Sequence, residues 1–429
     1  MNILKYPAPD EIAALLLRPA DAQAGARREK VAAMLDAVRT EGDAAVRRFA
    51  LEFDGFAPRQ LAVGEAEWRN ADAALTPALK TAIRQAYDNI RLFHDAQAGE
   101  SQSVETMPGV LCRRKSVPIE KVGLYIPGGT APLFSTVLML GVPAQIAGCR
   151  EAVLCTPPQS DGAVHPAVLF AAGLCGIKRV FAIGGVQAIG AMAYGTASVP
   201  RVWKIFGPGN AWVTAAKQLV GLEGVAIDLP AGPSEVCVIA DAGADPSFVA
   251  ADLLSQAEHG PDSQVLLIAD AESVVENVVR ALERQLRDLP RREVAEAALR
   301  NSNAVVVRDL HEAMALSNQY APEHLILQVE DPEALSERVV NAGSVFTGRF
   351  TPESAGDYAS GTNHTLPTSG YARAYGGVSL DSFVKKITFQ HITAAGLGSL
   401  GPTIVEMARA EGLEAHARAV EVRLTDTSI

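Results

Sequence analysis

Gln256 and His259 stand three residues apart within the segment LLSQAEHGPDSQ, which begins at Leu253. Residues with this spacing share one face of a helix, so an amide oxygen and an imidazole are expected to point the same way. Such a pair supplies half of the ligands of a divalent metal site. A capping histidine beside a solvated glutamine is the simpler alternative, and from this pair alone it is the favoured one.

Glu323 and His324 are adjacent in the segment APEHL, after a predicted helix. Neighbouring side chains usually diverge, so the pair is not expected to act as a dyad in which one group orients the other. Two independent acid and base groups directed into one cleft are the functional interpretation. A solvated surface pair is the alternative.

Four more polar residues are candidates in the last fifth of the chain. Asp357 and His364 lie in a segment rich in Gly, Ser, Thr and Pro, from 347 to 376, and a loop of that length is usually functional or mobile. A loop aspartate is more often a turn residue. Glu411 and His416 flank a glycine break in the C-terminal tail, and a histidine there is most often on the surface.

Two series of apolar strands that alternate with helices must position these groups. The first series runs from EAVLCTPP to VAIDLP, and the second from EVCVIAD to GSVFTG. Apolar strands separated by helices predict parallel sheets covered on both faces, hence an α/β protein with two doubly wound units and helical segments at both ends of the chain. The helix that carries Gln256 is predicted to begin at Asp245-Pro246 and to end at Gly260-Pro261.

Three loops after strands of the first series are candidates for a nucleotide site: YIPGGTAP, GGVQ and FGPGN. Ligands of open α/β sheets bind outside the carboxyl ends of the strands, where glycine permits close backbone approach and helix N-termini attract phosphate. Tyr125, Gln187 and Asn210 each offer a polar group beside one of these loops. Tight-turn glycines are the alternative for each loop taken alone.

The segment GLGSLG, from Gly396 to Gly401, fits the glycine pattern of a dinucleotide-binding loop. That motif also needs a preceding strand, a following helix and strand, and an acidic residue about 20 positions on. Because only a two-helix tail follows here, the interpretation as a nucleotide loop is rejected. A flexible joint before a C-terminal helical arm is predicted instead.

Composition and charge exclude several classes of protein. Hydrophobic residues make up 48% and charged residues 20% of the 429, which is typical of a globular protein with two or three cores. A net charge of −11 without a run of Lys or Arg argues against nucleic acid and anionic membranes as partners. The apolar runs fall short of the roughly 18 residues that suggest a membrane span. No secretion signal is recognised, and five scattered cysteines favour buried free thiols, so a cytoplasmic protein is expected.

Seven blocks of the sequence carry a likeness to a known family. They are VGLYIPGGTAPLFSTVLM, KIFGPGNAWVTAAK, IDLPAGPSEV, LLSQAEHGPDSQ, APEHL, GDYASGTNHTLPT and EGLEAHARAV. In this order and at this length they closely resemble the histidinol dehydrogenase family, over essentially the whole chain. The resemblance implies oxidation of L-histidinol through L-histidinaldehyde to L-histidine with two NAD+ and one water, in the final part of histidine biosynthesis.

The resemblance also implies the roles of individual residues. One Zn2+ per subunit would be held by Gln256, His259, Asp357 and His416 and would orient the substrate. His324 would take the alcohol proton, and Glu323 would activate the water that hydrates the aldehyde. The residues that match substrate contacts are Ser234, Gln256, His259, His324, Asp357, Glu411 and His416. Those that match NAD contacts are Tyr125, Gln187 and Asn210, which the loops had already indicated. No role is assigned to His364.

A homodimer with shared active sites is implied as well, built from two incomplete Rossmann-like domains of which the second is inserted in the first. The expected boundaries are an N-terminal helical segment at 1–22, a discontinuous α/β domain at 23–124 and 234–378, an inserted NAD-binding domain at 125–233, and a C-terminal dimerisation arm at 379–429.

Two other functions stay compatible with the residues themselves. A zinc hydrolase would use Glu323 to activate water and would need no nicotinamide. A two-lobed binding protein would close on a small solute without chemistry. The loops at Tyr125 and Asn210 weigh against a hydrolase without cofactor, and the lack of a recognised secretion signal weighs against the binding protein.

Overall fold

The computed structural model describes residues 1–18, 24–55, 60–128, 132–229 and 232–425. Its strands are β1 (Asn2–Lys5), β2 (Gln102–Met107), β3 (Val110–Pro118), β4 (Lys121–Tyr125), β5 (Glu151–Thr156), β6 (Arg179–Ala182), β7 (Lys204–Phe206), β8 (Ala226–Ile227), β9 (Glu235–Ala240), β10 (Gln264–Ala269), β11 (Asn303–Val306), β12 (His324–Gln328), β13 (Ser344–Thr347) and β14 (Val384–Ile392). Its helices are α1 (Pro9–Leu15), α2 (Ala24–Glu41), α3 (Asp43–Asp54), α4 (Glu65–Ala74), α5 (Pro77–Asp95), α6 (Phe134–Ala147), α7 (Pro166–Leu174), α8 (Gly185–Tyr194), α9 (Ala211–Gly221), α10 (Pro246–Ala257), α11 (Glu272–Leu286), α12 (Arg292–Arg300), α13 (Leu310–Tyr320), α14 (Pro332–Ser336), α15 (Glu353–Tyr358), α16 (Ala394–Ala410) and α17 (Glu414–Leu424).

The chain divides into two compact units. The first consists of residues 1–97 and 119–383, and the second of residues 98–118 and 384–429. Both parallel sheets lie in the first unit. The predicted α/β class, with apolar strands buried between helices, is confirmed.

The two parallel sheets share one strand order. The five-stranded sheet runs β6-β5-β4-β7-β8, which is 3-2-1-4-5 when its own first strand is numbered one. The six-stranded sheet runs β1-β11-β10-β9-β12-β13, so its strands β9 to β13 repeat the same 3-2-1-4-5 order. This is the doubly wound order without its sixth strand. The strand order therefore supports a duplication that the residues themselves do not reveal.

The N-terminal segment was predicted to be helical, and that prediction is wrong for residues 2–5. These form β1, which pairs in parallel with β11 at the edge of the six-stranded sheet. A four-residue strand whose partner lies some 300 positions away leaves no local periodic pattern, because its pairing is decided by the tertiary fold. Gly42, whose φ is +61°, separates α2 from α3.

The second unit holds a three-stranded antiparallel sheet, β14-β3-β2, and the helices α16 and α17. Residues 396–401 are not a flexible joint, because they lie inside α16. A Cβ on Gly396 would come within 2.6 Å of the carbonyl oxygen of Gly109, so this glycine permits close packing rather than bending. The break between α16 and α17 is confirmed at Gly412, whose φ is +75°.

The structure also bears on the predictions about the cysteines and about membrane-spanning helices. All five cysteines are free, and Cys155, Cys175 and Cys237 are buried, as predicted. Within the described ranges, no helix combines the length and the apolar character that a bilayer crossing requires.

At the carboxyl edge of the six-stranded sheet, Asp241 directly follows β9. Its Oδ2 accepts a hydrogen bond from the backbone N–H of Glu330 at 2.8 Å, and its Oδ1 accepts one from Gly243 N–H at 2.8 Å. Asp241 thereby ties the loop after β9 to the loop after β12, the strand beside it. Asp270 and Asp309 follow β10 and β11 at the same edge, and the pKa of Asp270 is raised by burial and by the charges of Asp241 and Asp309.

Candidate active site

The candidate acid, base and metal groups of the first unit lie at the amino-terminal edge of the six-stranded sheet. His324 is the first residue of β12, which lies beside β9. Gln256 is near the end of α10, and His259 follows in the turn. Asp245 accepts a hydrogen bond from Ser247 N–H at 2.9 Å, so the predicted N-cap of α10 is confirmed.

His259, Glu353 and Asp357 form a group in which one ligand atom of each lies within 4.8 Å of the others. His259 Nε2 is 4.0 Å from Asp357 Oδ2. The His259 side chain is 42% accessible and that of Asp357 is 16% accessible, so the group is open to solvent on the histidine side. One imidazole and two carboxylates are a donor set that a borderline divalent ion accepts.

Gln256 gives independent evidence for a ligand near the end of α10. Its side chain is fully buried, and neither its amide oxygen nor its amide nitrogen has a hydrogen-bond partner. An unpaired buried amide costs free energy, on the order of 1–3 kcal/mol, so such a group is rare without a bound ion, water or substrate. The donors present therefore fit a divalent metal.

The segment 347–376 was expected to be a loop, and this is corrected by α15. The helix places Glu353 and Asp357 four residues apart, on one face. Sequence reasoning missed Glu353, because a glutamate at the first position of a helix is usually a solvated partner of the helix dipole. Only the tertiary structure reveals that Glu353 is 1% exposed and that its Oε1 has no partner.

Carboxyl groups crowd this region and are held in low-dielectric surroundings. Burial raises the pKa of Glu323 and of Glu353 well above the ordinary value and that of Asp357 to about 6. Asp252 on α10 contributes to the high pKa of Glu353, and burial raises its own pKa to about 7. A divalent cation at this place would offset the repulsion among these groups.

His324 is buried, and only one of its two ring nitrogens forms a hydrogen bond. Its Nδ1 lies 3.3 Å from the carbonyl oxygen of Glu235, the first residue of β9. Since a carbonyl oxygen can only accept, Nδ1 carries the proton and Nε2 keeps its lone pair. Nε2 has no hydrogen-bond partner and lies 3.8 Å from Asp357 Oδ1. Burial lowers the pKa of His324 to about 3, so the ring is neutral at physiological pH.

Glu323 does not diverge from His324 as the sequence had suggested. Its Oε2 lies 3.8 Å from His324 Nδ1, a distance too long for a hydrogen bond. The same oxygen accepts a hydrogen bond from the backbone N–H of Glu235 at 3.0 Å. The two side chains converge because the backbone N–H and carbonyl of Glu235 face both of them, yet neither orients the other directly.

His364 lies against the same helix. Its Nδ1 donates to the carbonyl oxygen of Asp357 at 2.9 Å, and its Nε2 lies 3.1 Å from Thr136 Oγ1. Burial lowers the pKa of His364 to about 4. A neutral His364 thus ties the last turn of α15 to α6.

The remaining predicted substrate residues lie in different parts of the chain. Ser234 is half-buried and immediately precedes Glu235, and its carbonyl oxygen accepts a hydrogen bond from Gln264 N–H at 3.2 Å. Glu411 and His416 belong to the second unit, where both are exposed. The first unit therefore brings His259 and Asp357 together, with Gln256 three residues before His259 in the same helix end, but does not contain the fourth predicted ligand.

The nucleotide loops lie at the carboxyl edge of the five-stranded sheet. Tyr125 ends β4, and its hydroxyl accepts a hydrogen bond from Gly185 N–H at 3.1 Å. Gln187 is 1% exposed, and its amide oxygen has no partner. Gly129 to Ala131, in the loop after Tyr125, lie outside the described residues.

A buried ion pair stabilises the loop after β7. Lys217 Nζ lies 2.5 Å from Asp228 Oδ1, with both side chains at most 5% accessible. Lys217 also donates to the carbonyl oxygen of Gly207 at 2.7 Å, and Asp228 Oδ2 accepts from Gly207 N–H at 2.7 Å. Gly207 has a φ of +124°, and a Cβ there would lie 2.0 Å from the carbonyl oxygen of Tyr125. Asn210 follows as the N-cap of α9, and its Oδ1 accepts from the N–H groups of residues 212 and 213.

Comparison with known proteins decides the family. A family model described as histidinol dehydrogenase matches residues 17–424. The chain belongs to the histidinol dehydrogenase family. It is 58% identical over 424 residues to the histidinol dehydrogenase of Bacteroides thetaiotaomicron, covering 99% of each chain, and 56% identical over 410 residues to that of Xanthomonas euvesicatoria, covering 95% of each. The crystal structure of histidinol dehydrogenase from Elizabethkingia anophelis superposes with a TM-score of 0.96 at 50% identity, covering 100% of this chain and 99% of that one.

Membership in the histidinol dehydrogenase family confirms the resemblance and the expected class of enzyme, an oxidoreductase. The cluster at the amino-terminal edge of the six-stranded sheet brings Glu323 and His324 close to His259, Glu353 and Asp357, a group that could hold a metal ion. The convergent polar groups that the sequence did not indicate are Glu235 and Glu353.

Proposed function

We propose that the chain oxidises L-histidinol through L-histidinaldehyde to L-histidine, with two NAD+ and one water, in the final part of histidine biosynthesis in the cytoplasm. The observation that carries the proposal is His324. A neutral buried imidazole with a free lone pair lies among the carboxyl groups of Glu323, Glu353 and Asp357. Such a group suits removal of a proton from an alcohol.

Gln256, His259, Asp357 and His416 are the proposed ligands of one Zn2+ per subunit. The unpaired amide of Gln256 and the group at His259 and Asp357 support this choice in the first unit. When bound, the ion supplies a Lewis-acidic centre that holds the imidazole and amine of the substrate. The same residues, with Ser234, His324 and Glu411, are the proposed substrate contacts.

His324 is the proposed base of the first oxidation. Its Nδ1–H is directed at Glu235 O, so the proton of the substrate hydroxyl is taken by Nε2. NAD+, when bound, accepts one hydride in each of the two oxidations. Loss of the hydroxyl proton and of one hydride converts the alcohol to the aldehyde, and His324 then releases its proton to water.

Glu323 is the proposed base of the second stage. Its carboxylate removes a proton from the water that adds to the aldehyde carbon, which gives the anion of the hydrated aldehyde. Removal of a second hydride from this anion gives the carboxylic acid, which ionises, and Glu323 releases its proton to water. The backbone N–H of Glu235 stabilises the charged form of Glu323 against the burial that raises its pKa.

Tyr125, Gln187 and Asn210 are the proposed NAD contacts. Tyr125 ends β4 and Asn210 follows β7, between which the strand order of the doubly wound sheet reverses, and Gln187 follows β6 at the same carboxyl edge. The unpaired buried amide oxygen of Gln187 supports a ligand there. The Tyr125 hydroxyl already accepts from Gly185 N–H, so its part is to shape the loop as much as to bind.

A homodimer with shared active sites is proposed, with L-histidinol as the small-molecule partner and no role for nucleic acid or membrane. Met407, Leu413 and Val422 in the second unit are exposed, which leaves apolar surface for a partner to cover. Glu411 and His416 of one chain would then complete the site of the other. The domain boundaries given from the sequence stay part of this proposal.

One measurement tests the central claim. Purified protein is incubated with Zn2+, NAD+ and L-histidinol, and the absorbance of reduced nicotinamide is followed. Two NADH for each histidine formed are expected. Consumption of L-histidinol without NADH, or hydrolysis of ester or amide substrates in its place, would favour the hydrolase alternative.

A further inference from the structure

Arg18, which lies just after α1, forms a bidentate ion pair with Glu235. Its Nε lies 2.6 Å from Glu235 Oε2, and its Nη2 lies 2.8 Å from Oε1. The side chains of Arg18 and Glu235 are 19% and 2% accessible, so solvent screens the pair little. The planar guanidinium matches the carboxylate in a way that a lysine cannot.

Arg18 also holds the segment that leads to the proposed catalytic pair. Its Nη2 donates to the carbonyl oxygen of Tyr320 at 2.8 Å, and its guanidinium lies 4.2 Å from the centre of the Tyr320 ring. Tyr320 ends α13, and Glu323 follows three residues later. The Tyr320 hydroxyl lies 3.3 Å from Glu235 Oε2 and 2.7 Å from Gln264 Oε1.

Glu235 links Arg18 to Glu323 and His324. Its side chain is bound by Arg18, while its backbone N–H donates to Glu323 and its carbonyl oxygen accepts from His324. A shift of Glu235 would therefore move both partners at once. Arg18 fixes the start of β9 and the end of α13, which are the two segments that set where Glu323 and His324 stand.

We propose, on the basis of the function proposed above, that Arg18 is a positioning residue that acts through Glu235 to hold Glu323 and His324 in place together. It touches neither substrate nor cofactor in this role. A purely structural ion pair would contribute stability and leave the chemistry of folded molecules unchanged. A positioning residue lowers the rate constant of both oxidations in molecules that are folded.

The test compares Arg18→Ala, Arg18→Lys and wild type in single turnovers that start from L-histidinol or from L-histidinaldehyde. Val278→Ala is the matched control, because it truncates a fully buried side chain of α11 in the same unit. Arg18→Ala is expected to lower both rate constants by about tenfold to 10²-fold with little change in KM for histidinol, since small misplacements cost rate rather than binding. Arg18→Lys is expected to lie between Arg18→Ala and wild type, and guanidinium ions should partly restore Arg18→Ala. Arg18→Lys carries the test by itself if the alanine variant does not fold.

A second readout does not depend on turnover. The ¹⁵N resonances of His324, assigned by their loss in His324→Asn, report which ring nitrogen carries the proton. Arg18→Ala is expected to reduce the Nδ1-protonated population, whereas Val278→Ala leaves it unchanged. Wild-type rate constants in folded Arg18→Ala, or an unchanged His324 signal, would overturn the proposal. Failure of wild type to oxidise L-histidinol would instead overturn the proposed function, and the His324 resonances would still judge the role of Arg18.

Discussion

The imidazole of His324 is oriented by a backbone carbonyl, that of Glu235, at 3.3 Å from Nδ1. The two residues begin the neighbouring strands β12 and β9, between which the strand order of the six-stranded sheet reverses. Open α/β sheets usually bind ligands at this reversal on the carboxyl edge. Here the polar groups meet at the opposite, amino-terminal edge, because α10 and α15 bring the candidate metal ligands to that end.

The division of labour between His324 and Glu323 gives the first prediction. His324→Asn should impair oxidation of the alcohol, because the base that receives the hydroxyl proton is lost. Glu323→Gln should impair aldehyde oxidation more than alcohol oxidation, because the water is no longer activated. Each loss should be on the order of 10²-fold or more. Rates measured separately with L-histidinol and L-histidinaldehyde check this, and equal losses on both substrates in both variants would contradict the division.

Metal content gives the second prediction. His259→Ala and Gln256→Ala should lower the zinc that co-purifies with the protein, because each removes a proposed ligand. His391→Ala, an exposed histidine in β14, is the control and should keep wild-type zinc. Elemental analysis gives the metal content, and chelation followed by re-addition of Zn2+ should abolish and restore activity. Full turnover by exhaustively demetallated protein would rule the metal out.

Nucleotide binding gives the third prediction. Asn210 has two tasks, because its Oδ1 caps α9 while its amide nitrogen is proposed to bind NAD+. Asn210→Ser keeps a capping oxygen and Asn210→Ala does not, so only the alanine variant should lose the capping energy, about 1 kcal/mol. Both variants should bind NAD+ more weakly in titration calorimetry. Gly398→Ala meets no atom within 4 Å and should leave NAD+ affinity unchanged; the reverse pattern would revive the glycine motif as a nucleotide loop.

Shared active sites give the fourth prediction. Inactive His416→Ala and inactive His259→Ala proteins are mixed and allowed to exchange subunits. If the second unit of one chain completes the site of its partner, one site of each heterodimer carries both lesions and the other carries neither. Activity should therefore reappear, up to about half per heterodimer. No recovery, with exchange shown by tagged subunits, would mean that His416 serves its own chain.

His94 gives a prediction on pH. Its Nδ1 donates to Ile90 O at 2.8 Å, and its Nε2 faces the amide nitrogen of Asn363 at 3.4 Å. That amide is fixed, since Asn363 Nδ2 donates to Met139 O at 2.6 Å, so a protonated Nε2 would meet a donor. Burial accordingly lowers the pKa of His94 below the ordinary value near 6.5.

The direction in which stability changes with pH follows from proton uptake at His94. Below about pH 6.5 the unfolded chain binds a proton at this histidine before the folded chain does, so stability falls as pH falls, by at most about 1.4 kcal/mol per pH unit. Unfolding temperatures of wild type and His94→Gln are compared from pH 8 to pH 5. The advantage of wild type should shrink below pH 6.5, and a constant difference would contradict the assignment.

Much of the fold could be predicted from local sequence patterns. The features that could not be predicted depend on packing between distant parts of the chain. The helix at Gln256 begins at a capping residue and ends before Gly260, and the central strands of both parallel sheets are continuous apolar runs, so both features could be predicted. β1 could not be predicted, because its partner strand, β11, is distant along the chain. Glu353 and Arg18 look like ordinary surface charges in the sequence. Their burial is decided by elements that lie far away along the chain.

Asp241 has a consequence for the order of events during turnover. Its carboxylate lies at the edge where the pyrophosphate of a dinucleotide would need hydrogen-bond donors, and it joins the loops after β9 and β12. An acidic group there disfavours a second dinucleotide, so on the proposed function the five-stranded sheet would receive both NAD+ molecules one after the other. On that proposal, the first NADH departs between the two oxidations while the aldehyde stays bound. The proposed function thus requires the chain to retain a reactive intermediate through a complete exchange of cofactor, which makes retention of the aldehyde as important as the transfer of hydride.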